Sequence, residues 1–130
     1  MKLYEFGKTE NQNDKFMPDK ELLLQDLCMR LPYDTIVNID NGKYREDVKL
    51  RPCHLADFNT LDIRPYLRSM PEMTDEERNE LYELTHAGSE DWTFSHNAYV
   101  VIDWLNSKYF DYRGLIPKGL ALKARENMYK

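Results

Sequence analysis

The sequence predicts a single α+β domain with an N-terminal helix, a small antiparallel sheet, two further helices and a short C-terminal tail. Three observations favour this class. Apolar side chains recur every three or four residues over residues 19–31 and again after residue 74, as in amphipathic helices. Between them, residues 35–50 alternate with a period of two around an Asn-Gly pair, which is typical of a hairpin. Because the strands are grouped and do not alternate with helices, the pattern indicates α+β rather than α/β.

The chain length is that of one domain. Its 130 residues, 42% of them hydrophobic, suffice for one compact core. Residues 1–18 mix polar and charged residues with a few aromatics, show neither helical nor strand periodicity, and end at Pro18. The sequence therefore predicts a flexible arm over 1–18 and one folded domain over 19–130.

The first helix is predicted over residues 19–31, with Asp19 as its N-cap and Pro32 as its stop. Two cysteines are too few for a disulfide framework, and we expect both to be thiols that pack in the interior. The apolar stripe of this helix comprises Leu23, Leu24, Leu27, Cys28 and Leu31.

A hairpin is predicted over residues 35–50. Asn41-Gly42 supplies the residue types that tolerate positive φ in a two-residue type I′ turn. This turn would pair Ile39 with Tyr44 and Val37 with Glu46. One face of the hairpin is expected to be buried, and the pairing of apolar Val37 with charged Glu46 is expected to mark a bulge or a strand edge.

The next segment is interrupted by prolines. Pro52 limits residues 53–63 to one or two short strands, around 55–58 or 61–63. Residues 64–68, which contain Pro65, are interpreted as a single helical turn that closes the β region.

The second long helix is predicted over residues 74–84. Thr74 and Glu77 have the spacing of a capping box, in which each side chain accepts the other residue's amide hydrogen. The helix is expected to bury Leu81, Tyr82 and Leu84.

The last helix is predicted over residues 97–109 and has few polar positions, so we expect it to be buried on most sides. A strand over 99–102 is the alternative, because that run is rich in β-branched residues. Trp104 is the expected centre of the packing.

Charge is unevenly distributed along this acidic chain. Residues 72–111 hold ten Asp and Glu against two Lys and Arg, within a net charge of −5. Such a block disfavours nonspecific nucleic-acid binding. No apolar run reaches the roughly 20 residues of a membrane span, and the first residues lack the apolar core of a secretory signal. We therefore expect a cytoplasmic protein that does not enter a membrane.

The segment after residue 102 carries a specific phrase: Asp-Trp-Leu-Asn at 103–106, Asp-Tyr-Arg-Gly-Leu-Ile at 111–116 and Lys-Gly-Leu-Ala-Leu at 118–122. It resembles the C-terminal part of a group of short uncharacterised proteins of Bacteroides-type bacteria and their phages and mobile elements. Residues 27–33 and 64–74 resemble the group more weakly. The chain departs from that pattern at Pro117 and near Arg125. The resemblance implies a lineage and supplies no catalytic residues.

The sequence holds no strong signature of catalysis. Cys53 and His54 are adjacent, and neighbours on a strand point to opposite faces, so a thiolate would need His86 or His96 from elsewhere. The Cys and His residues lack CxxC or HxxxH spacing, and no glycine-rich phosphate loop is present. We therefore expect no enzyme activity, no cofactor and no metal.

Two binding functions remain. The first is a non-enzymatic accessory protein that binds an unidentified protein partner, because aromatic and arginine side chains are enriched at interfaces. The alternative is a small nucleic-acid-binding module with a basic and aromatic face on the β region. The candidate residues are Trp92, Phe94, Tyr112 and Arg113 for a protein partner, and Arg45, Arg51, Arg64 and Arg68 for nucleic acid.

Overall fold

A computed structural model describes residues 18–86 and 94–129, and it confirms the α+β class. The predicted arm lies outside the described residues except for Pro18. No helix of the described part is long and apolar enough to cross a membrane. The helices are α1 (Asp19–Arg30), α2 (Pro52–Ala56), α3 (Asp75–His86) and α4 (Phe94–Ser107), and the strands are β1 (Ile36–Asp40), β2 (Arg45–Lys49), β3 (Asp62–Leu67) and β4 (Leu122–Lys123).

The sheet is mixed, with the strand order β2-β1-β3-β4. β1 pairs antiparallel with β2 and β3, whereas β3 and β4 run parallel. One face of the sheet packs on α1 and α2 in an aliphatic core that includes Leu27, Val37 and Ile63. A second core contains Met73, Trp104, Leu105 and Phe110, and it joins α3 to α4 and to the segment after α4.

Helix α1 ends at Arg30, one residue before the predicted last residue, 31. Leu31–Tyr33 form a 3₁₀ turn that contains Pro32, and Asp34 then adopts a left-handed φ of 55°. Pro18 holds the N-cap position, so the prediction that Asp19 caps the helix is wrong. Asp19 instead lies in the first turn, where a negative charge is favourable at the positive end of the helix dipole.

The hairpin is present, but its predicted turn and register are wrong. The connection has four residues, because the side chain of Asp40 accepts the Gly42 amide and that of Asn41 accepts the Lys43 amide. These side-chain bonds stabilise a wider turn than the type I′ form. The partners shift by two residues, so Tyr44 lies in the turn and is 57% exposed. The observed pairs include Val37 with Val48 and Ile39 with Glu46.

Residues 53–68 differ most from the prediction. Residues 52–56 form α2 with Pro52 at its start, so the suggested strand around 55–58 is wrong. Residues 64–68 were predicted to be a helical turn, but residues 64–67 continue the strand that starts at Asp62, and Arg68 forms an isolated bridge with Phe110. Pro65 is tolerated there because β3 at that position pairs with β1 alone, whereas β4 pairs only with the two residues that follow.

Helix α3 has the predicted capping box. Glu77 donates its amide to Thr74 Oγ1 at 3.1 Å, and Thr74 donates its amide to Glu77 Oε1 at 3.0 Å. Leu81 and Leu84 are half-buried in the second core, as expected. Tyr82, however, is 63% exposed, so its predicted burial is wrong.

Residues 99–102 are helical within α4, which rules out the alternative strand. Trp104 is buried, and its ring stacks on Phe110 at 6.0 Å between centroids. The predicted burial of the two cysteines is wrong. Cys28 and Cys53 are both exposed, because each lies on the solvent side of a short helix.

Candidate functional site

The most exposed aromatic side chain of the described part, Tyr99, lies near a group of half-buried side chains where α1 meets α4. The α1–α4 surface, as we name it, consists of Met29, Tyr33, Tyr99, Asp103, Tyr112 and Arg113. Tyr99 is 75% exposed and lies one helical turn before Asp103 on the solvent face of α4. Met29 is 40% exposed on α1.

Direct contacts connect most of this surface. Tyr33 donates its hydroxyl to Asp103 Oδ1 at 3.4 Å, and burial together with the Asp103 carboxylate raises the pKa of Tyr33. The Arg113 guanidinium contacts Met29 Sδ at 3.1 Å and lies 5.3 Å from the Tyr112 ring centroid. Tyr112 donates its hydroxyl to the buried Asn106 at 2.8 Å. The surface is therefore held in shape before any partner arrives.

A buried ionic cluster of Asp26, Arg30 and Arg113 supports the α1–α4 surface from below. Arg30 Nε lies 2.8 Å from Asp26 Oδ2, and both side chains are fully buried. Arg113 Nε lies 3.2 Å from the other oxygen of Asp26. Arg30 also donates to the Phe110 carbonyl at 2.7 Å, and its guanidinium lies 5.2 Å from the Tyr112 ring centroid. The cluster thus attaches residues 110–113 to α1.

The candidate residues for a protein partner fall in two groups. Trp92 lies outside the described residues; Phe94 begins α4, but its side chain is outside the described part. Tyr112 and Arg113 are brought together, half-buried, in the α1–α4 surface. The sequence interpretation missed Met29, Tyr33, Tyr99 and Asp103. The spacing of Tyr99 and Asp103 on one face of a helix was the available signal.

The candidate arginines for nucleic acid do not form a continuous basic face. The sheet face opposite the aliphatic core, which we call the outer sheet face, carries both acidic and basic side chains of β1, β2 and β3. There Asp47 accepts from Asn38 at 2.9 Å and from Tyr66 at 3.0 Å, and these bonds lower its pKa. Each candidate arginine is paired: Arg45 with Asp40 and Asp62, Arg51 with Asp34, Arg64 with Asp62, and Arg68 with Glu77.

A second concave region lies beside the start of α3 and the end of α4. We call it the tyrosine cleft; its volume is about 640 Å³, and its walls include Tyr109 and Tyr129. The two rings stack with 3.6 Å between centroids and 7° between planes. Tyr109 donates its hydroxyl to the Tyr33 carbonyl at 2.6 Å, and Tyr129 donates to the Tyr66 carbonyl at 2.7 Å. Both rings are therefore fixed in place.

An ion pair also lines the cleft. Arg68 donates two hydrogen bonds of 2.8 Å to the two oxygens of Glu77. These bonds, with the Thr74 amide, lower the pKa of Glu77 to about 2. A carboxylate this strongly held is a poor proton carrier near neutral pH, so it has a structural role.

Of the side chains considered for catalysis, the described part includes those of Cys53 and His54. No group of three or more potential metal ligands occurs among the described residues. His54 Nδ1 accepts the Arg51 amide at 3.0 Å at the start of α2, which places the imidazole in a capping role. Comparisons with protein-family models, curated proteins and solved structures find no match to this chain.

Proposed function

We propose that the chain is a non-enzymatic accessory protein of phage or mobile-element lineage that binds another protein in the cytoplasm. The resemblance of the sequence pattern after residue 102 supports the lineage, and the α1–α4 surface supports the binding of a protein. The observation that carries the proposal is the exposure of Tyr99, at 75%, one helical turn before Asp103, which bonds to Tyr33 in the same surface of Tyr, Met and Arg side chains. These residue types are enriched at the energetic centres of interfaces.

The rigidity of the surface favours binding. Tyr112 is fixed by its bond to Asn106, and Arg113 by its ion pair with Asp26. A partner therefore gains contact area without the entropy cost of ordering those side chains, which is about 0.5 to 1.5 kcal/mol for each one immobilised.

The charges nearby indicate a basic partner. Helix α3, which packs on α4, exposes Glu76, Glu80 and Glu83, and none of them has an ion-pair partner among the described residues. Asp103 adds a carboxylate within the α1–α4 surface itself. A basic protein surface would be attracted to this side of the molecule, and an apolar side chain at its centre would pack on Tyr99 and Met29.

The test compares two exposed tyrosines. A partner is first captured from the native host with the unaltered chain, and its affinity is then measured for Tyr99→Ala and Tyr44→Ala. We expect Tyr99→Ala to weaken binding about thirtyfold or more, the loss of about 2 kcal/mol typical of an interface centre. Tyr44→Ala is the matched control, since Tyr44 is 57% exposed in the hairpin turn.

Both variants are expected to melt at the temperature of the unaltered chain, because each removes an exposed side chain. Equal affinity of Tyr99→Ala and the unaltered chain would contradict the proposal. Arg113→Ala is a poorer probe, because it would leave the buried Asp26 with one cation fewer and so change stability as well.

The nucleic-acid alternative has less support, because a carboxylate within 4 Å accompanies each of its four arginines. Phosphates would have to compete with those carboxylates for the same guanidinium groups. A titration of labelled single-stranded DNA at low salt tests it, and we expect no shift at micromolar protein.

A further inference from the structure

One cation in the tyrosine cleft has no partner among the described residues. Arg68 is paired with Glu77, and Arg125, which also lines the cleft, contacts Asp47 at 3.3 Å. Lys108 lines the same cleft and is half-buried, but no carboxylate contacts its ammonium group in the described part of the chain. Partial removal from water strengthens the attraction of such a charge for an anion.

The acidic groups of the cleft are less suited to a ligand. Glu72 is paired with Lys123 at 2.6 Å, and Glu77 is saturated by Arg68. Glu126 has no partner in the described residues, but it is exposed, so water weakens its attraction for a cation. The cleft therefore favours an anionic over a cationic group.

The aromatic wall adds a shape requirement. The rings of Tyr109 and Tyr129 have both hydroxyls bonded to backbone carbonyls, and each ring covers one face of the other, so the outward faces and the edges of the rings are left for a ligand. Tyr109 holds a left-handed φ of 65°, a conformation that a bulky residue rarely adopts. That strain is tolerated because the surrounding bonds fix the residue, as is common at binding sites.

We propose that the tyrosine cleft binds a small planar aromatic ligand with an anionic group, either carboxylate or phosphate. The ring packs on the Tyr109 and Tyr129 wall, and the anion pairs with the Lys108 ammonium. The cleft's volume of about 640 Å³ lies within the range of small-molecule sites. This activity is separate from the protein binding proposed for the α1–α4 surface.

The experiment is an NMR titration of the labelled protein with four probes: phenylacetate, phenyl phosphate, the neutral phenylacetamide, and acetate. We expect saturable shifts at the amides of residues 108, 109 and 129 with phenylacetate or phenyl phosphate. The better of these two identifies the anion. Phenylacetamide and acetate are each expected to bind at least about tenfold more weakly, because each lacks one of the two contacts.

The second part of the experiment measures binding by the variant Lys108→Met. We expect it to weaken the better probe by about tenfold or more, since a hydrogen bond to a charged group is stronger than one between neutral groups. The variant keeps the backbone carbonyl that accepts from Arg68. Lys118→Met, an exposed lysine outside the cleft, is the matched control and is expected to bind as the unaltered chain does.

The proposal is overturned if neither aromatic anion shifts these amides, if phenylacetamide or acetate binds as tightly, or if Lys108→Met leaves the affinity unchanged. Should Lys108→Met fail to fold, the four-probe comparison on the unaltered chain still decides. Because Tyr99 is not part of the cleft, Tyr99→Ala separates failure of this proposal from failure of the proposed protein binding.

Discussion

The buried ionic cluster and the outer sheet face use the same kinds of side chain in opposite surroundings. In the cluster, Asp26 and Arg30 are fully buried and 2.8 Å apart. On the outer sheet face, Arg45 and Asp62 are 3.3 Å apart, and each side chain is nearly half exposed. Water screens the pair on the outer sheet face, so that pair stabilises the fold only slightly. The pair in the cluster excludes water, so other groups of the protein must satisfy each of its charges.

This difference indicates which charged side chains the fold depends on. The cluster joins α1 to residues 110–113, so its charges hold the fold together and support the α1–α4 surface. The outer sheet face balances its charges locally, so we expect single losses there to change stability little. Glu77 is intermediate, since it is 15% exposed and paired with Arg68.

The largest effect is expected from Asp26→Ala. Removing this carboxylate leaves Arg30 buried without its counter-ion, which costs about 3 to 5 kcal/mol of unfolding free energy. Urea denaturation measures the loss. Asp19→Ala, an exposed acid on the same helix, is the control and is expected to change stability by less than about 0.5 kcal/mol. A cost below about 1 kcal/mol for Asp26→Ala would contradict the prediction that the buried ion pair contributes more to stability than the pairs on the outer sheet face.

A smaller, pH-dependent effect is expected from Glu77→Gln. The folded pKa of Glu77 is about 2, below the ordinary value of 4.5, so its stabilisation is present above pH 4.5 and is lost as pH falls through about 2. Glu77→Gln should therefore cost on the order of 2 to 3 kcal/mol at pH 7, and nearly nothing near pH 2. Thermal melts of both chains across this range test it. A cost that is the same at every pH would refute the assignment.

The smallest effect is expected from Arg45→Ala. Its partners Asp40 and Asp62 stay hydrated, so the cost should be about 1 kcal/mol or less and should shrink further in 1 M salt. Chemical denaturation at low and high salt gives both values. A loss that matches Asp26→Ala, or one that salt leaves unchanged, would show that the outer sheet face is not as exposed to screening as its geometry indicates.

Local features of the fold were predictable from the sequence. The capping box of Thr74 and Glu77 needs only residues three apart, and prolines and apolar spacing predicted the bounds of α1 and α3 to within two residues. The hairpin was predictable as an element. Its register was not, because the side chains of Asp40 and Asn41 stabilise a four-residue turn in place of the two-residue turn that Asn-Gly favours.

Features that depend on distant contacts were not predictable. Residues 64–68 contain a proline and have no alternating pattern, yet pairing with β1 and β4 makes most of them a strand. The pair of Asp26 and Arg30 has helical i, i+4 spacing, but only the fold brings in Arg113. The tyrosine cleft combines residues from positions 68 to 129, so no local pattern in the sequence indicates it.

The hydrogen bonds of the Tyr129 hydroxyl should affect the rate of folding. This hydroxyl bonds to the Ile36 amide at 3.0 Å across 93 positions of sequence, and β4 pairs with β3 over a separation of more than 50. Contacts between residues so far apart require large loops to close before any stabilisation is gained, which slows folding. We therefore expect the hairpin of β1 and β2 to form early and β4 to dock late. Refolding should then be slower than that of a protein of similar size built from short helices alone.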